Sequence, residues 1–503
     1  MQQRTADARF NALDRLREGM LTRCEQYSRL TLPYVFPEGT YNENSEDLQY
    51  SKHSIGAQAV NNLANKMMLA LFQPSNPFFR LSLTTKALAQ IKGTDMESKT
   101  EDSLATGERE AMRVMARGMY RPALFELMKH LIITGNGMPV FQKDGTLSVV
   151  SMRNYVVQRS PDGTVLEIVH RRPIAVSALQ PETRKFYIEN GGTVTDDDST
   201  VKLYYWIKKS PNGKDYTVSQ WVDQVRLSTE YDSKYRNYDE LPWQPQVWVL
   251  PPESHYGIGL VEEYHGDLMA LDVYAEAQTD GAAMIAVWRL LADPAGSMRP
   301  EELVKSGNGD VIVGRPNELT LFNAPAASNV QQIAMILGDT SRRIGQGFLM
   351  MTSVTRDAER VTAEEVRLLA SELETGLGGV YARMAVSLQV PMANFLFNQM
   401  DNSLVGTDIE TTIITGMEAL SRQVELDKMA QLVSDVSQIA QLPPNILMWF
   451  KEEALYDFLA AGRGLERGKF IRTEAEVQQV QQQQAQQQMA MQAAMAQQTG
   501  EAQ

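Results

Sequence analysis

One stretch, from Arg356 to Met384, constrains the fold of this chain more than any other. It contains Thr362 and Glu365 at the Thr-x-x-Glu spacing of a capping box, in which two free N–H groups at a helix start find acceptors. Apolar residues then recur at i, i+3, i+4, i+7 and i+11, which marks one face of an α-helix: Val366, Leu369, Ala370, Leu373 and Leu377. Glycines at 376, 378 and 379 interrupt this pattern, and each costs about 1 kcal/mol relative to alanine in a helix. Because the apolar pattern resumes at Val380, the stretch predicts a helix with a bend rather than an end.

On its residues alone this stretch is a buried helix with a flexible joint. The order of its residues, however, resembles that of a known protein family. The run ERVTAEEVRLLASELETGLGGVY is similar to the signature of head-to-tail connectors, the portal proteins of T-seven-like short-tailed bacteriophages. Three further runs support the resemblance, VEEYHGDL from Val261, NNLANKMMLAL from Asn61 and TGMEALSRQVELDK from Thr415. The resemblance covers roughly residues 10 to 470 in the same order.

Length and composition are those of a folded, water-soluble chain. The 503 residues are enough for several cores, and the hydrophobic content of 43% and charged content of 22% are ordinary. No run of eighteen apolar residues exists, so we expect no transmembrane helix and no membrane partner. The N-terminal residues lack the apolar core of a signal peptide. A single cysteine, Cys24, fits a reducing compartment.

The net charge of −14 argues against a tight nucleic-acid binder. Such proteins gain affinity by neutralising phosphates with Lys and Arg. The same charge is compatible with a surface along which DNA slides without sticking. The charge of the whole chain does not say where the acidic residues lie.

The N-terminal half predicts helices followed by a β-rich region. A first helix has one apolar stripe, formed by Phe10, Leu13, Leu16, Met20, Cys24 and Tyr27, and ends by Pro33. Further helices are predicted at 55–71, at 99–118 and from Pro122 onward. The dipeptides Asp144-Gly145, Asp162-Gly163 and Asn212-Gly213 are typical of hairpins, so residues 138–250 read as mostly antiparallel β. The aromatic residues of this region fit a core better than base stacking or carbohydrate binding.

The middle of the chain predicts two long helices around a small insert. Residues 260–292 contain no proline and keep an apolar stripe, and Asp293-Pro294 should stop this helix. The insert has a turn of helix after Pro300 and two candidate strands, Asp310 to Val313 and Leu319 to Phe322. A returning helix contains Ile333, Leu337, Ile344 and Phe348. A polar loop then leads to the stretch that begins at Arg356.

The resemblance implies an α+β fold, mainly α, of the portal type, with wing, stem, clip and crown, assembled into a closed ring. The implied segments are the wing at 1–259, stem helix 1 at 260–292, the clip at 293–329, stem helix 2 at 330–349, the channel loop at 350–361, a wing-crossing helix and following segment at 362–410, the crown at 411–470 and a Gln-rich tail or helical extension at 471–503. On residues alone, the crown region reads as helices divided by Pro443-Pro444. The tail lacks a clear apolar stripe, so its role stays open.

The channel loop supplies the candidate site residues. In portal rings the equivalent loops crowd around DNA at the narrowest point, so size and charge there set the constriction. The DNA-facing candidates are Met350, Met351, Thr352, Ser353, Val354, Thr355, Arg356, Asp357, Ala358, Glu359 and Arg360. Without the resemblance, the same residues are a solvated connection between two helices.

Enzyme chemistry has no support in the sequence. The five histidines are scattered, without the His-Glu-x-x-His pattern or a cysteine pair for zinc. The nearest approach to a phosphate loop is Gly462 to Phe470, where the glycine spacing is one residue too long and Phe470 replaces the Ser or Thr that binds magnesium. We therefore expect no catalytic residues, no metal and no cofactor.

The resemblance implies a structural function at one capsid vertex. The subunits would form a homo-oligomer, a dodecamer in the family, whose channel admits double-stranded DNA without sequence specificity during packaging and releases it on infection. Implied partners are the major capsid protein, the scaffolding protein, the terminase large subunit, the tail adaptor and internal core proteins. The protein would be assembled in the host cytoplasm and reside in the virion, with an acidic channel lining that repels phosphate. The alternative is a cytosolic helical scaffold or adaptor that binds partner proteins and forms no ring.

Overall fold

The computed structural model describes residues 5–39, 41, 47–72, 78–83, 95–142, 144–192, 199–211, 213–286, 289–297, 299–322, 326–350, 363–377, 379–399, 411–415 and 434. The chain divides into two compact units, Met1–Gly416 and Met417–Gln503. Apart from Ser434, every described residue belongs to the first unit, which mixes helices and strands. The predicted crown helices and the Gln-rich tail lie outside the described residues.

The first predicted helix is two helices, α1 (Ala6–Arg15) and α2 (Glu18–Leu30). The prediction of one continuous stripe was wrong at Leu16, which is 82% exposed at the break. Arg17 closes the break by donating from Nε and Nη2 to Asp14 Oδ1, at 2.9 and 2.8 Å. The break has a tertiary cause, since α1 packs on a β-sheet whereas α2 packs on two helices from later in the chain. One straight helix would not follow both surfaces.

Three further helices and one strand follow α2. They are α3 (Ile55–Leu71), β1 (Phe79–Leu83), α4 (Asp95–Arg117) and α5 (Tyr120–Thr134). The helices predicted at 55–71, at 99–118 and near Pro122 are thereby confirmed. The predicted stripe of α3 is buried at Ala59, Val60, Leu63, Met67 and Leu71. β1 pairs with a strand from far along the chain, which local pattern did not indicate.

The β-rich prediction for 138–250 is confirmed. The strands are β2 (Asn136–Phe141), β3 (Leu147–Val150), β4 (Tyr155–Arg159), β5 (Val165–Ala175), β6 (Thr200–Lys209), β7 (Tyr216–Val222), β8 (Val225–Arg226), β9 (Ser233–Tyr235) and β10 (Gln246–Val247). They form a three-stranded sheet, β10-β2-β3, and a larger antiparallel sheet, β4-β5-β6-β7-β8, with β9 also paired to β7. Gly145, Gly163 and Gly213 all have positive φ in the three predicted hairpin loops.

Both faces of the larger sheet are partly covered by helices. On one face α1 contributes Ala6, Phe10 and Leu13 to a core with residues of β4 to β7: Val156, Val169, Tyr204, Trp206 and Trp221. On the other face a short helix, α6 (Pro181–Glu189), packs through Tyr187 against Leu203 and Val222. Most of the aromatic residues therefore serve as core, as the sequence indicated.

The predicted helix at 260–292 is shorter than expected. The structure has α7 (Leu260–Glu263) and α8 (His265–Ala286), and residues 289–292 form a strand, β11 (Arg289–Ala292). β11 pairs antiparallel with β12 (Leu319–Phe322), so the predicted second strand exists. The first predicted strand, Asp310 to Val313, does not form, and these residues lie in a mostly exposed loop. Pairing with a segment about thirty residues away overrides helix propensity at 289–292. α9 (Pro300–Lys305) and α10 (Ala326–Gly347) match their predicted positions.

The predicted bend is wrong, because α11 (Ala363–Gly376) ends at the first of the three glycines. Gly379 has φ 84°, in the left-handed region, and α12 (Val380–Met384) begins directly after it. A π-helical turn, Ala385–Gln389, then leads into α13 (Val390–Gln399). This wider turn precedes Pro391, whose ring would collide with the carbonyl four residues earlier in a regular α-helix.

The last described strand, β13 (Thr411–Thr415), pairs antiparallel with β1. Short 3₁₀ turns complete the described elements at Met152–Asn154, Val176–Ala178, Thr229–Tyr231, Tyr238–Glu240 and Pro316–Glu318. Within the described residues, the helices are all too short or too polar to cross a membrane.

Candidate functional site: the α8–α10 helix pair and the root of the 350–361 loop

The two long helices α8 and α10 lie antiparallel along their length. At one end Arg343 Nη2 lies 3.1 Å from Asp267 Oδ1, and the rings of Tyr264 and Phe348 are 5.3 Å apart. Toward the other end, a β-carbon added at Gly281 would come within 2.7 Å of a methyl of Val330. These contacts place early residues of one helix against late residues of the other. The chain therefore runs out along α8 and back along α10.

The insert at the far end of this pair is tied together by one carboxylate. Glu318 accepts from the backbone N–H groups of Ser297 and Arg315, at 3.1 and 3.2 Å, and from the Ser297 hydroxyl. Its own carbonyl accepts from the N–H of Asp293. Together with the β11–β12 pairing, these bonds close the insert into a compact tip.

At the near end, α10 terminates where the 350–361 loop begins. The N–H of Met350 donates to the Gly345 carbonyl and that of Leu349 donates to Gln346, the two bonds of a Schellman motif. Leu349 has φ 54°, in the left-handed region where glycine is the favoured residue. Leu349 holds this strained conformation because its surroundings use both its side chain and its carbonyl.

The carbonyls at the end of α10 are capped by α3. Lys66 Nζ donates to the Leu349 carbonyl at 2.7 Å, and Asn62 Nδ2 donates to the Phe348 and Leu349 carbonyls at 3.3 and 3.4 Å. Asn62 and Lys66 are four residues apart and so share one face of α3. A cation at a helix C-terminus also interacts favourably with the helix dipole.

Lys66 reaches the helix on the other side of the loop as well. Its ammonium lies 3.7 Å from Glu372 Oε1 on α11. The side chain of Leu349 packs directly beneath Gly376, where an added β-carbon would come within 3.3 Å. Burial lowers the pKa of Lys66, and Glu372 opposes that shift. We refer to Asn62, Lys66, Leu349 and Glu372 as the loop root, since they hold both helices that flank the loop.

Of the predicted channel residues, the structure describes only Met350. It is half-buried at the start of the loop, and its N–H completes the cap of α10. The remaining candidates, from Met351 to Arg360, lie outside the described residues, so their assignment stays a prediction. Sequence reasoning did not single out Asn62 and Lys66. The available signal was Lys66, the one charged residue in the helix Ile55–Leu71.

α8 is an acidic helix whose carboxylates are partly neutralised within the subunit. It carries Asp267, Asp272, Glu276 and Asp280 and no Lys or Arg. Besides the Asp267–Arg343 pair, Asp272 accepts from the backbone N–H of Lys52, and Lys52 Nζ lies 3.9 Å from Glu276. These partners belong to the same chain, so the local charge of the helix pair is less negative than its sequence suggests.

Large apolar side chains are exposed on the helix pair and on its tip. Val273 is 60% and Met335 71% exposed on the two helices, and Val311 is 97% exposed in the insert. Other exposed apolar residues in these elements are Met269, Ile336, Leu291, Val304 and Val313. Several exposed large apolar side chains on these elements make them candidates for a contact surface.

The direction of α7 and α8 is set by a backbone junction at the end of α5. Gly135, with φ 73°, packs so tightly that a β-carbon there would overlap the backbone of Ile258 and Gly259. Asn136 donates from Nδ2 to the Gly257 carbonyl at 2.9 Å and accepts from the Gly257 N–H at 2.8 Å. Because only glycine allows this approach, the start of the helix pair is fixed against α5.

The described residues contain no group of three or more His, Cys, Asp or Glu side chains placed to hold a metal ion. Cys24 is buried, and burial raises the pKa of its thiol to about 12, so the thiol is unreactive at neutral pH. His170 and His130 are buried, and burial lowers their pKa values to about 3 and about 4. Trp243 Nε1 donates to His170 Nδ1 at 3.1 Å, which gives this histidine a structural role.

Comparison with known proteins identifies the family. Residues 3–471 match the family described as bacteriophage head to tail connecting protein. The portal protein of Enterobacteria phage SP6 is 32% identical over 466 residues, which are 92% of this chain and 89% of that protein. The portal protein of Escherichia phage T7 is 31% identical over 492 residues, 95% of this chain and 90% of that protein.

Among solved structures, a chain from the neck of an empty gene transfer agent particle aligns with 82% of this chain and 91% of its own length, at 14% identity and a TM-score of 0.39. The match of the family over residues 3–471 is far longer than half of the chain, and two relatives exceed 30% identity over most of their length. This chain therefore belongs to the family of bacteriophage head to tail connecting proteins.

Proposed function

We propose that this chain is the portal protein of a podovirus, the subunit of a closed ring that connects head and tail at one capsid vertex. The observation that carries the proposal is the family match over residues 3–471. It favours a connector over the alternative of a cytosolic scaffold or adaptor. The ring is a dodecamer with heterologous contacts between neighbouring subunits.

In this proposal the α8–α10 pair forms the stem and the compact tip at 293–329 forms the clip. The wing comprises residues 1–259 and the segment 362–410, and residues 411–470 form the crown. The antiparallel arrangement of α8 and α10 supports the stem, because the tip is then presented at one end of the subunit. The exposed apolar side chains on both helices support burial between neighbouring stems.

The channel loop at 350–361 faces double-stranded DNA as it passes, and the loop root fixes both flanking helices to α3. Packaged DNA moves through the ring without sequence-specific contacts. The tip first docks the terminase large subunit and then tail adaptor proteins, while the wing and crown contact the major capsid protein, scaffolding protein and internal core proteins. Assembly takes place in the host cytoplasm, and the ring stays in the virion.

The test is the mass of the purified protein in solution, measured by native mass spectrometry and followed by negative-stain imaging. The expected result is a species of about twelve subunits with a central hole end-on. Because some rings need other proteins to close, a monomer is then mixed with the capsid and scaffolding proteins. A chain that stays monomeric in that mixture contradicts the proposal.

A further inference from the structure

The face of the large sheet that α1 covers has an uncovered part beyond the helix. Cross-strand pairing places Gln158, Glu167, Lys208 and Thr217 in one row across β4, β5, β6 and β7. This row continues the face that holds Trp206. The result is an open depression of about 870 Å³. We call it the Trp206 groove, defined by Arg9, Glu167, Trp206, Lys208, Arg226 and Asp232.

The floor of the groove is held by hydrogen bonds and is locally neutral. Glu167 accepts from Arg9 Nε at 3.0 Å and from the Trp206 indole N–H at 2.5 Å. Arg9 also donates to the Gln158 amide oxygen at 2.7 Å. Glu167 and Arg9 are each mostly buried, so this carboxylate is fully engaged and is not a free negative charge in the groove.

The rim of the groove carries positive charge that the chain does not neutralise. Lys208 lies over the Trp206 ring, 3.4 Å from its centroid, and is exposed. Within the described residues Lys208 forms no ion pair with a carboxylate, whereas Arg226 pairs with Asp232 at 2.8 Å. Burial lowers the pKa of Lys208, Glu167 opposes this, and Arg9 and Arg226 add to the lowering. Arg9 and Arg226 are each paired with a carboxylate, so Lys208 is the cation of the rim that is available to an acidic partner.

Asp232 offers no free charge in the groove. Its Oδ2 accepts from Arg226, and its Oδ1 is buried and therefore out of reach of a group from outside the chain. An occupant that complements the groove therefore brings negative charge to Lys208.

We propose that the Trp206 groove docks an acidic peptide segment of a partner protein. An acidic peptide brings a carboxylate to Lys208. A phosphate backbone gains its affinity from several cations, and Arg9 and Arg226 are already paired with Glu167 and Asp232. Two carboxylates line the groove, and Trp206 and Trp221 are more than nine-tenths buried, so neither indole offers a face for base stacking. The Trp206 groove lies on the large sheet, apart from the α8–α10 pair and the loop root. Its proposed role in binding a partner is additional to ring formation.

The experiment uses the full-length protein and a short fluorescein-labelled peptide of alternating glutamate and serine, with binding followed by anisotropy. Lys208→Glu is compared with Lys202→Glu, a matched control, since Lys202 is an exposed lysine at the opposite end of the same strand. Lys208→Glu should weaken binding by at least about tenfold, and Lys202→Glu should change it by less than about twofold. Added salt should weaken binding to the wild type.

A measurement on the wild type avoids any effect of substitution on folding. Acetylation of lysines, read by mass spectrometry, should slow at Lys208 when the peptide is present and stay unchanged at Lys202. Equal binding by both variants, or no protection of Lys208, overturns the proposal. Tighter Lys208-dependent binding of an oligothymidine of equal charge also overturns it, in favour of a nucleic-acid site. The Lys208→Glu variant should still form rings, so a negative result in the peptide experiment would not contradict the proposed portal function.

Discussion

The ammonium of Lys66 lies 2.7 Å from the carbonyl oxygen of Leu349, although 283 residues separate the two in the chain. Lys66 is only 5% exposed. It caps the end of α10 and lies 3.7 Å from Glu372 of α11. One side chain of α3 thereby holds the helices on both sides of the 350–361 loop.

Replacing Lys66 with methionine keeps the length of the side chain and removes its charge. The Leu349 carbonyl then loses its strongest donor, so the free energy of unfolding should fall by about 2 kcal/mol. The two helices that flank the loop should also be held less firmly, so trypsin cleavage after Arg356 and Arg360 should become faster. Lys52→Met is the control, since that lysine is 58% exposed in its pair with Glu276. It should cost less than about 0.5 kcal/mol, and equal losses in both variants would refute a special role for Lys66.

Gly135→Ala should be among the most destabilising glycine substitutions in the chain. Its φ of 73° strains any other residue, and the new β-carbon would overlap the backbone near Gly259. We expect a loss of more than about 3 kcal/mol, measured by denaturant unfolding. Gly213→Ala is the matched control, with φ 88° and nothing within 4 Å of the added β-carbon. It should lose only about 1 kcal/mol, from backbone strain alone. Similar losses would mean that the close approach at Gly135 contributes little.

Stability should fall in mild acid partly through His170. Burial lowers its folded pKa to about 3, below the unfolded value, so the unfolded chain binds the proton first. The contribution of the neutral His170 side chain to the free energy of unfolding is intact above about pH 6.5 and is lost as pH falls toward 3. The loss between about pH 6.5 and 5 is about 1.5 kcal/mol. His170→Gln keeps an acceptor for Trp243 and removes this titration. Urea unfolding at both pH values should show a smaller loss in the variant, and an equal loss would exclude His170 as a cause.

Ring formation should depend on the exposed apolar side chains of the helix pair. Met335→Glu and Val273→Glu place a charge where the proposal buries these residues between subunits, so the ring fraction should fall by at least about tenfold. Ile188→Glu, an exposed apolar position on α6, tests for a general effect of added charge. Mass photometry at equal protein concentration measures the ring fraction. Unchanged rings in Met335→Glu would place the subunit interface elsewhere.

Local pattern was sufficient wherever near neighbours in the sequence decide the structure. The apolar spacing of α3 and α5 and the Asp-Gly and Asn-Gly turns of the large sheet were predicted from residues a few positions apart. These signals arise from backbone preference and from burial of one face, and both act over one or two turns of chain. The resemblance in residues 359–381 likewise needed no structure, and the family match bears it out.

Local pattern was insufficient where distant segments compete for the same residues. The stripe through Leu16 predicted one helix, but α1 and α2 pack on different partners and the chain breaks between them. The stripe after Ala286 predicted more helix, but β12 draws residues 289–292 into a strand. The glycines at 376–379 predicted a bend, but the left-handed φ of Gly379 starts a new helix.

The sequence by itself therefore determined the family, most of the described helices and the β-rich region of this protein. The tertiary structure alone decided where Lys66 points, which residues hold the loop and how the Trp206 groove gathers its charges. The physical reason is distance along the chain. A contact such as Lys66 with Leu349 leaves no periodic trace in the sequence, because its stability depends on burial and geometry that exist only after the chain has folded.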